Sequence, residues 1–331
     1  FILVMADEAR QQAAALDHEL AAGFDRGPLH GVPISVKDIF DVQGTATTAA
    51  SRVRDGHVAG RDAPAIAALR HAGAVIIGKA NLHEFAFGTT NEDSAFGPAR
   101  NPHDPSRSPG GSSGGSAVSL VAGMALASLG TDTGGSVRIP AAACGTVGLK
   151  PTYGEISTDG VVPLSRTLDH VGPLTNSVTD AWSMYGALVG VTERRQPPPV
   201  VPVSGLRVVV PRPYFCDLLD DEVRTAFESA IDRLRAAGAW VSEAAIQHAS
   251  LTGPVYTHIS FGDAAAYHAP TLETVADRYS NPVRLRLETA RYVMAEDYAR
   301  ALAARELLLR EVDAALSRHD ALVLPTLPIP A

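Results

Sequence analysis

Three residues have the types and spacing for joint chemistry: Lys37, Ser112 and Ser136. The two serines close Gly-Gly-Ser units, Gly110-Gly111-Ser112 and Gly134-Gly135-Ser136. Glycine lets a backbone take φ > 0 and approach a bound group closely, so each unit can form a tight loop with exposed N–H groups. A serine hydroxyl is weakly nucleophilic until a base takes its proton, and the oxyanion that then develops needs donors aimed at it. The peptide groups of Thr133, Gly134, Gly135 and Ser136 can supply those donors if the loop turns them inward. SVRIPAAACG, which follows, can open a helix and add a favourable dipole.

The base is harder to choose. Of the 11 histidines, His30, His83, His103 and His170 lie near glycine or proline turns, but no local context singles one out. GTDTGGS lacks the GxSxG spacing of a nucleophile elbow, and the SxxK pattern is absent. Lys37 remains. A lone lysine is usually a solvated surface charge, and that reading carries the greater weight, but Val36, Ile39 and Phe40 around it leave burial open. It can act as a base only when neutral, so its reference pKa of about 10.4 must fall through burial or a nearby cation. Ser112 would then relay the proton between Ser136 and Lys37. Gly73 to Lys79 also match GxxxxGK, but Ala80 stands where Ser or Thr should hold magnesium. The Ala-Val-Ile-Ile between reads as a strand, so the phosphate-loop match is rejected.

The surrounding segments alternate between helix and strand. Residues 5–22 read as an amphipathic helix stopped at Gly23. Val32 to Val36 read as a strand with Lys37 at or just past its end, and 62–73 as a helix capped by Asp62. AVIIGK, GLRVVVP (205–211) and AWVSEAAI read as buried strands, the last preceded by a helix over 221–238. Ala117 to Leu129 is a helix-length apolar segment that can fold the two glycine loops together, and 283–318 is a long helical stretch with a solvated charged face. QPPPVVP (196–202) is the clearest linker. This alternation predicts an α/β fold, a sheet covered by helices.

Composition excludes several classes. With 331 residues, 46% hydrophobic and 19% charged, the chain has ample material for a core. A net charge of −8 without any Lys/Arg cluster argues against a nucleic-acid-binding surface. Two cysteines, Cys144 and Cys216, far apart and without metal-ligand spacing, speak against disulfides or zinc and suit a reducing compartment. No apolar run reaches the roughly 18 residues of a membrane span.

GVPISVKD, PGGSSGGSA and GTDTGGSVRIPAAACGTVGLKPTYG, in that order, resemble the amidase signature family. The resemblance extends through NLHEFAFGTTNEDSAFGPARNP, LDHVGPLTNSV and the tail DALVLPTLPIP, and is strongest over 28–180. It implies hydrolysis or transfer of C–N amide groups by Ser136 as nucleophile, Ser112 as a bridging serine on a cis peptide bond, and Lys37 as general base. It also implies an oxyanion hole from the N–H groups of 133 to 136. Ala86, Gly111 and Ser113 would line or support the substrate site, and Asp169 would support it from outside. The implied fold is one α/β/α domain over 1–331, a large mixed sheet covered on both faces. Its catalytic core would span about 28–180 and its substrate-entrance part about 205–320. Members usually continue beyond PTLPIPA and begin before Phe1, so parts of the family fold are expected outside these residues.

The same resemblance implies no metal or organic cofactor, a small-molecule amide substrate, no nucleic acid or membrane, a cytoplasmic setting and room for a homodimer. Carbamates, ureas and anilides fall within this chemistry. The alternative is the glutaminase component of a tRNA-dependent amidotransferase, with obligate partner proteins. A non-catalytic anion-binding protein is disfavoured by the joint presence of Lys37, Ser112 and Ser136. Cys144 reads as a small core residue. Asp132 can orient a group or hold its own loop, and Arg138 can bind a carboxylate or form a structural salt bridge. Tyr256, Phe261, Tyr267, Tyr279, Tyr292 and Tyr298 suit either a bulky substrate or ordinary packing.

Overall fold

A computed structural model describes residues 1–191 and 200–331; residues 196–199 of the expected linker lie outside them. The chain divides into two compact units, Phe1–Pro198 with Asp263–Arg291 and Ala331, and Pro199–Gly262 with Tyr292–Pro330.

In the first unit six strands form a mixed sheet in the order β1-β3-β2-β4-β6-β5. They are β1 (Leu3–Val4), β2 (Pro33–Lys37), β3 (Val75–Ala80), β4 (Ala127–Asp132), β5 (Val147–Gly148) and β6 (His170–Thr175). The helices α1 (Ala6–Ala21), α2 (Pro64–His71), α3 (Gly114–Val121), α4 (Arg138–Cys144) and α5 (Val178–Leu188) alternate with them. Of the four inner strands, β3, β2 and β4 run parallel, whereas β6 is antiparallel to β4 and to the edge strand β5. Parallel inner strands bury both faces. Accordingly Ile34, Ser35, Val36 and Lys37 of β2 are all buried. Ser35 is accommodated because its hydroxyl bonds those of Ser119 on α3 and Ser128 on β4, at 2.8 and 2.7 Å.

The second unit holds a parallel sheet in the order β8-β7-β9, from β7 (Arg207–Pro211), β8 (Trp240–Ala244) and β9 (Ala321–Leu322). The remaining helices are the short α6 (Arg212–Phe215), then α7 (Asp221–Ala236), α8 (Thr252–Thr274), α9 (Asn281–Ala290) and α10 (Ala295–Leu316). The expected α/β architecture is present, with the described strands shared between two sheets.

Three local expectations are corrected. The segment 117–129 is not one helix: α3 ends at Val121, a turn through Gly123 (φ +66°) follows, and 127–129 enter β4. Asp62 does not cap α2, whose N-cap is Ala63. The Asp62 carboxylate instead accepts the Gln43 N–H at 2.7 Å and pairs with Arg70 at 3.1 Å. The stretch 283–318 breaks between Ala290 and Ala295 into α9 and α10.

The rejected phosphate loop is what its apolar residues suggested. Val75–Ala80 is a strand, and the buried Lys79 ammonium lies 2.6 Å from Asp38. Close packing also makes a prediction at Gly115, on α3. A Cβ there would sit 2.3 Å from the carbonyl oxygen of Asn81 and 2.7 Å from its nitrogen, and backbone cannot swing aside. Gly115→Ala should therefore lower the unfolding free energy by about 3 kcal/mol. An unchanged denaturant midpoint would contradict this packing.

Candidate active site

Lys37 is the last residue of β2 and is fully buried. Its Nζ donates to Ser112 Oγ and to Thr131 Oγ1, both at 2.8 Å. Burial lowers its pKa to about 7, against the opposing pull of Asp169 and Asp132. Near neutral pH a large share of this amine is therefore uncharged. A neutral amine has two N–H donors and one lone pair; Thr131 can take a donor while the lone pair receives the Ser112 proton. The chemistry this permits is base-assisted activation of a hydroxyl.

Ser112 is buried and follows a cis Gly111–Ser112 peptide bond. Gly111 is required by space: a Cβ there would lie 2.9 to 3.0 Å from the backbone of Thr89, Thr90 and Asn91. Ser113 links the two glycine loops. Its N–H donates to the Ser136 carbonyl at 3.2 Å and its hydroxyl to the Thr131 carbonyl at 3.2 Å. The two Gly-Gly-Ser units are thus adjacent, as the sequence predicts, although a helix, a turn and a strand join them.

The second loop is shaped by Asp132, at the end of β4. Its carboxylate accepts the N–H groups of Gly135 and Val137 at 2.8 and 3.1 Å. The Arg138 guanidinium binds it at 2.8 and 3.0 Å. Burial alone would raise the Asp132 pKa, but Arg138 and these amides hold it below the usual carboxylate range. Of the two roles open to each residue, Asp132 and Arg138 take the structural ones. Gly135 (φ +127°) makes the turn. Its N–H is already committed, so of the four candidate oxyanion donors it faces Asp132 instead. The N–H groups of Thr133, Gly134 and Ser136 donate to no protein acceptor among the described residues. Ser136 itself retains 6% exposure. Thr133 donates its hydroxyl to Asp169 at 2.5 Å, and Asp169 also accepts the Leu164 and Ser165 N–H groups.

Ala86 lies in a single 3₁₀ turn, Glu84–Ala86, with φ +58°. The turn adjoins the site because His83 donates its N–H to the Ser112 carbonyl at 3.1 Å. Cys144 packs with Ala117, Leu120, Val137, Ala141 and Leu174, and burial raises its pKa to about 11, as befits a core residue. Among the aromatics, Tyr279 is buried against Phe85 and bonds His268 and Thr271, whereas Tyr292 is exposed. Thr131 is the site residue sequence reasoning missed. Only the parallel register pairing Val36 with Leu129, which aligns the ends of β2 and β4, brings it to Lys37.

Comparison with known proteins gives the family of the chain. The family model described as Amidase matches residues 1–331. The glutamyl-tRNA(Gln) amidotransferase A-type subunit from Koribacter versatilis is 36% identical over 366 aligned residues, covering 100% of this chain and 76% of that one. A crystal structure of an amidase superposes with TM-score 0.91 at 43% identity, over 99% of this chain and 74% of that one. The peptide amidase from Stenotrophomonas maltophilia gives TM-score 0.79 at 30% identity, over 98% and 77%. On these residues and this likeness, the chain belongs to the amidase family, the amidase-signature hydrolases that act on C–N bonds.

Proposed function

We propose that the chain is a serine amidohydrolase that cleaves an amide or amide-like C–N bond through an acyl-enzyme. Ser136 is the nucleophile, Ser112 the proton relay and Lys37 the base. The observation that carries this reading is the buried Lys37 amine 2.8 Å from Ser112 Oγ, with a pKa near neutrality. As Ser136 Oγ attacks the carbonyl carbon, its proton passes to Ser112 and the Ser112 proton to Lys37. The oxyanion forms opposite the N–H groups of Thr133, Gly134 and Ser136. Lys37 then returns its proton through Ser112 to the leaving nitrogen, the C–N bond breaks and the amine departs. Water attacks the ester by the same relay, releasing the acid and restoring Ser136. Ala86, Gly111 and Ser113 border the acyl group.

The relay fixes a pH dependence. Only neutral Lys37 accepts a proton, so kcat/KM should rise about tenfold per pH unit below the pKa and flatten above about 7. A rate that falls with rising pH across this range would remove Lys37 as the base.

The substrate test is a hydrolysis screen with glutamine, a short aliphatic amide, an aryl anilide and an aryl carbamate, with Ser136→Ala as blank. Anilide or carbamate turnover without glutaminase activity supports a free-standing hydrolase. The similarity to a glutamyl-tRNA(Gln) amidotransferase component supports a second reading, the glutaminase of such a complex. Turnover of glutamine alone, and only with partner proteins added, would favour it.

A further inference from the structure

The segment 83–87 forms a strap beside Ser112, and its shape is unusual. Phe85 and Ala86 both adopt left-handed backbone, at φ +52° and +58°, a region non-glycine residues seldom occupy. Such a shape persists only where its surroundings hold it. Phe85 donates its N–H to the Ala49 carbonyl at 2.9 Å, and Glu84 to the Asp93 carbonyl at 2.7 Å.

Further restraints come from α9 and its N-cap. Ser280, its N-cap residue, donates its N–H to the Glu84 carboxylate at 2.9 Å. Arg286, further along the helix, donates to the Phe87 carbonyl at 2.6 Å. Its Nη1 also lies 3.3 Å from His83 Nε2. That second contact is not a hydrogen bond. The Asn91 N–H donates to His83 Nδ1 at 3.2 Å, which assigns the ring proton to Nε2, where it faces Asp93 at 3.1 Å. A protonated Nε2 offers Arg286 no acceptor, so the guanidinium is directed to Phe87. The helix therefore grips the strap at residues 84 and 87, on either side of the left-handed pair. The His83 ring also lies directly over Gly88, where a Cβ would be 2.1 Å from it.

We propose that Arg286 is a positioning residue: through the Phe87 carbonyl, and together with the Glu84–Ser280 contact, it holds Phe85 and Ala86 as the wall for the substrate's acyl group. This rests on the reading of Ser136 as nucleophile and Ala86 as part of the acyl pocket. It gives α9 a role in selecting the acyl group without touching the proton relay.

The test compares Arg286→Met, which keeps length but no donor, with Arg286→Lys, which keeps one. Steady-state constants are measured for a bulky-acyl and an acetyl amide, alongside the rate of Ser136 labelling by a small fluorophosphonate and amide hydrogen exchange. The methionine variant should raise KM for the bulky amide at least tenfold. Its phosphonate labelling and its kcat should stay within about threefold, and the lysine variant should recover most of the loss. Exchange at 84–87 should quicken at least tenfold in Arg286→Met, with β4 unchanged. Unaltered KM and exchange would overturn the proposal, as would a uniform loss in every assay that tracks a lowered melting temperature. If the wild type hydrolyses no amide, the substrate reading fails, and exchange at 84–87 alone decides whether Arg286 holds the strap.

Discussion

Ser136→Ala is expected to reduce amide hydrolysis by at least about 10⁴-fold and to abolish labelling by a fluorophosphonate. On the proposed mechanism the loss is large because the hydroxyl that forms the acyl-enzyme is gone, and the covalent step disappears with it. The scaffold should survive, since the Ser136 contact that joins the two glycine loops is made by its backbone carbonyl to the Ser113 N–H. The alanine protein should therefore melt near the wild-type temperature and still bind substrate. Intact-mass spectrometry with the phosphonate separates the outcomes. An adduct on the alanine variant would place the nucleophile elsewhere.

Lys37→Ala should cost at least about 10³-fold in kcat/KM, with a different signature. Ser136 remains, but its proton has no destination, and the Ser112 and Thr131 hydroxyls lose their shared partner. The acid limb attributed to Lys37 should vanish from the pH profile, leaving a slow rate set by solvent hydroxide. Ser112→Ala should lose less than either, because water in the vacated space can carry the proton inefficiently. Wild-type activity in Lys37→Ala would end the relay mechanism, whereas retention of the pH midpoint near 7 in a weakened variant would assign that titration to another group.

Much of the fold was legible because apolar patterning and glycine stops act locally. α1, β2, β3, α7 and β7 fall within a few residues of their expected positions. The division of 117–129 was not legible: its residues are apolar throughout, and periodicity cannot separate a buried helix from a buried strand. The break in 283–318 was missed for a similar reason, since Ala, Arg and Glu favour helix on both sides of it. Within the site, motif order singled out Lys37, Ser112 and Ser136 as candidates, whereas their packing had no sequence signal. Thr131 depends on strand register. The commitment of the Gly135 amide depends on which way the Asp132 carboxylate turns. The reach of Arg286 to Phe87 joins residues about 200 positions apart, a distance no local pattern spans.

The parallel pairing of Ile34–Val36 with Ala127–Leu129 bears on how the enzyme comes into being. Those partners are roughly ninety positions apart, and loop closure on that scale must precede any stabilisation from the pairing. Before the pairing forms, Lys37 has neither its hydroxyl partners nor the burial that lowers its pKa, so on the proposed relay it would stay protonated and leave Ser136 unactivated. On the same reading an unfinished chain, or one still folding, would carry no activated serine. On that reading catalytic competence would emerge only once β2 and β4 have paired, so the burial of the lysine would also guard against premature chemistry.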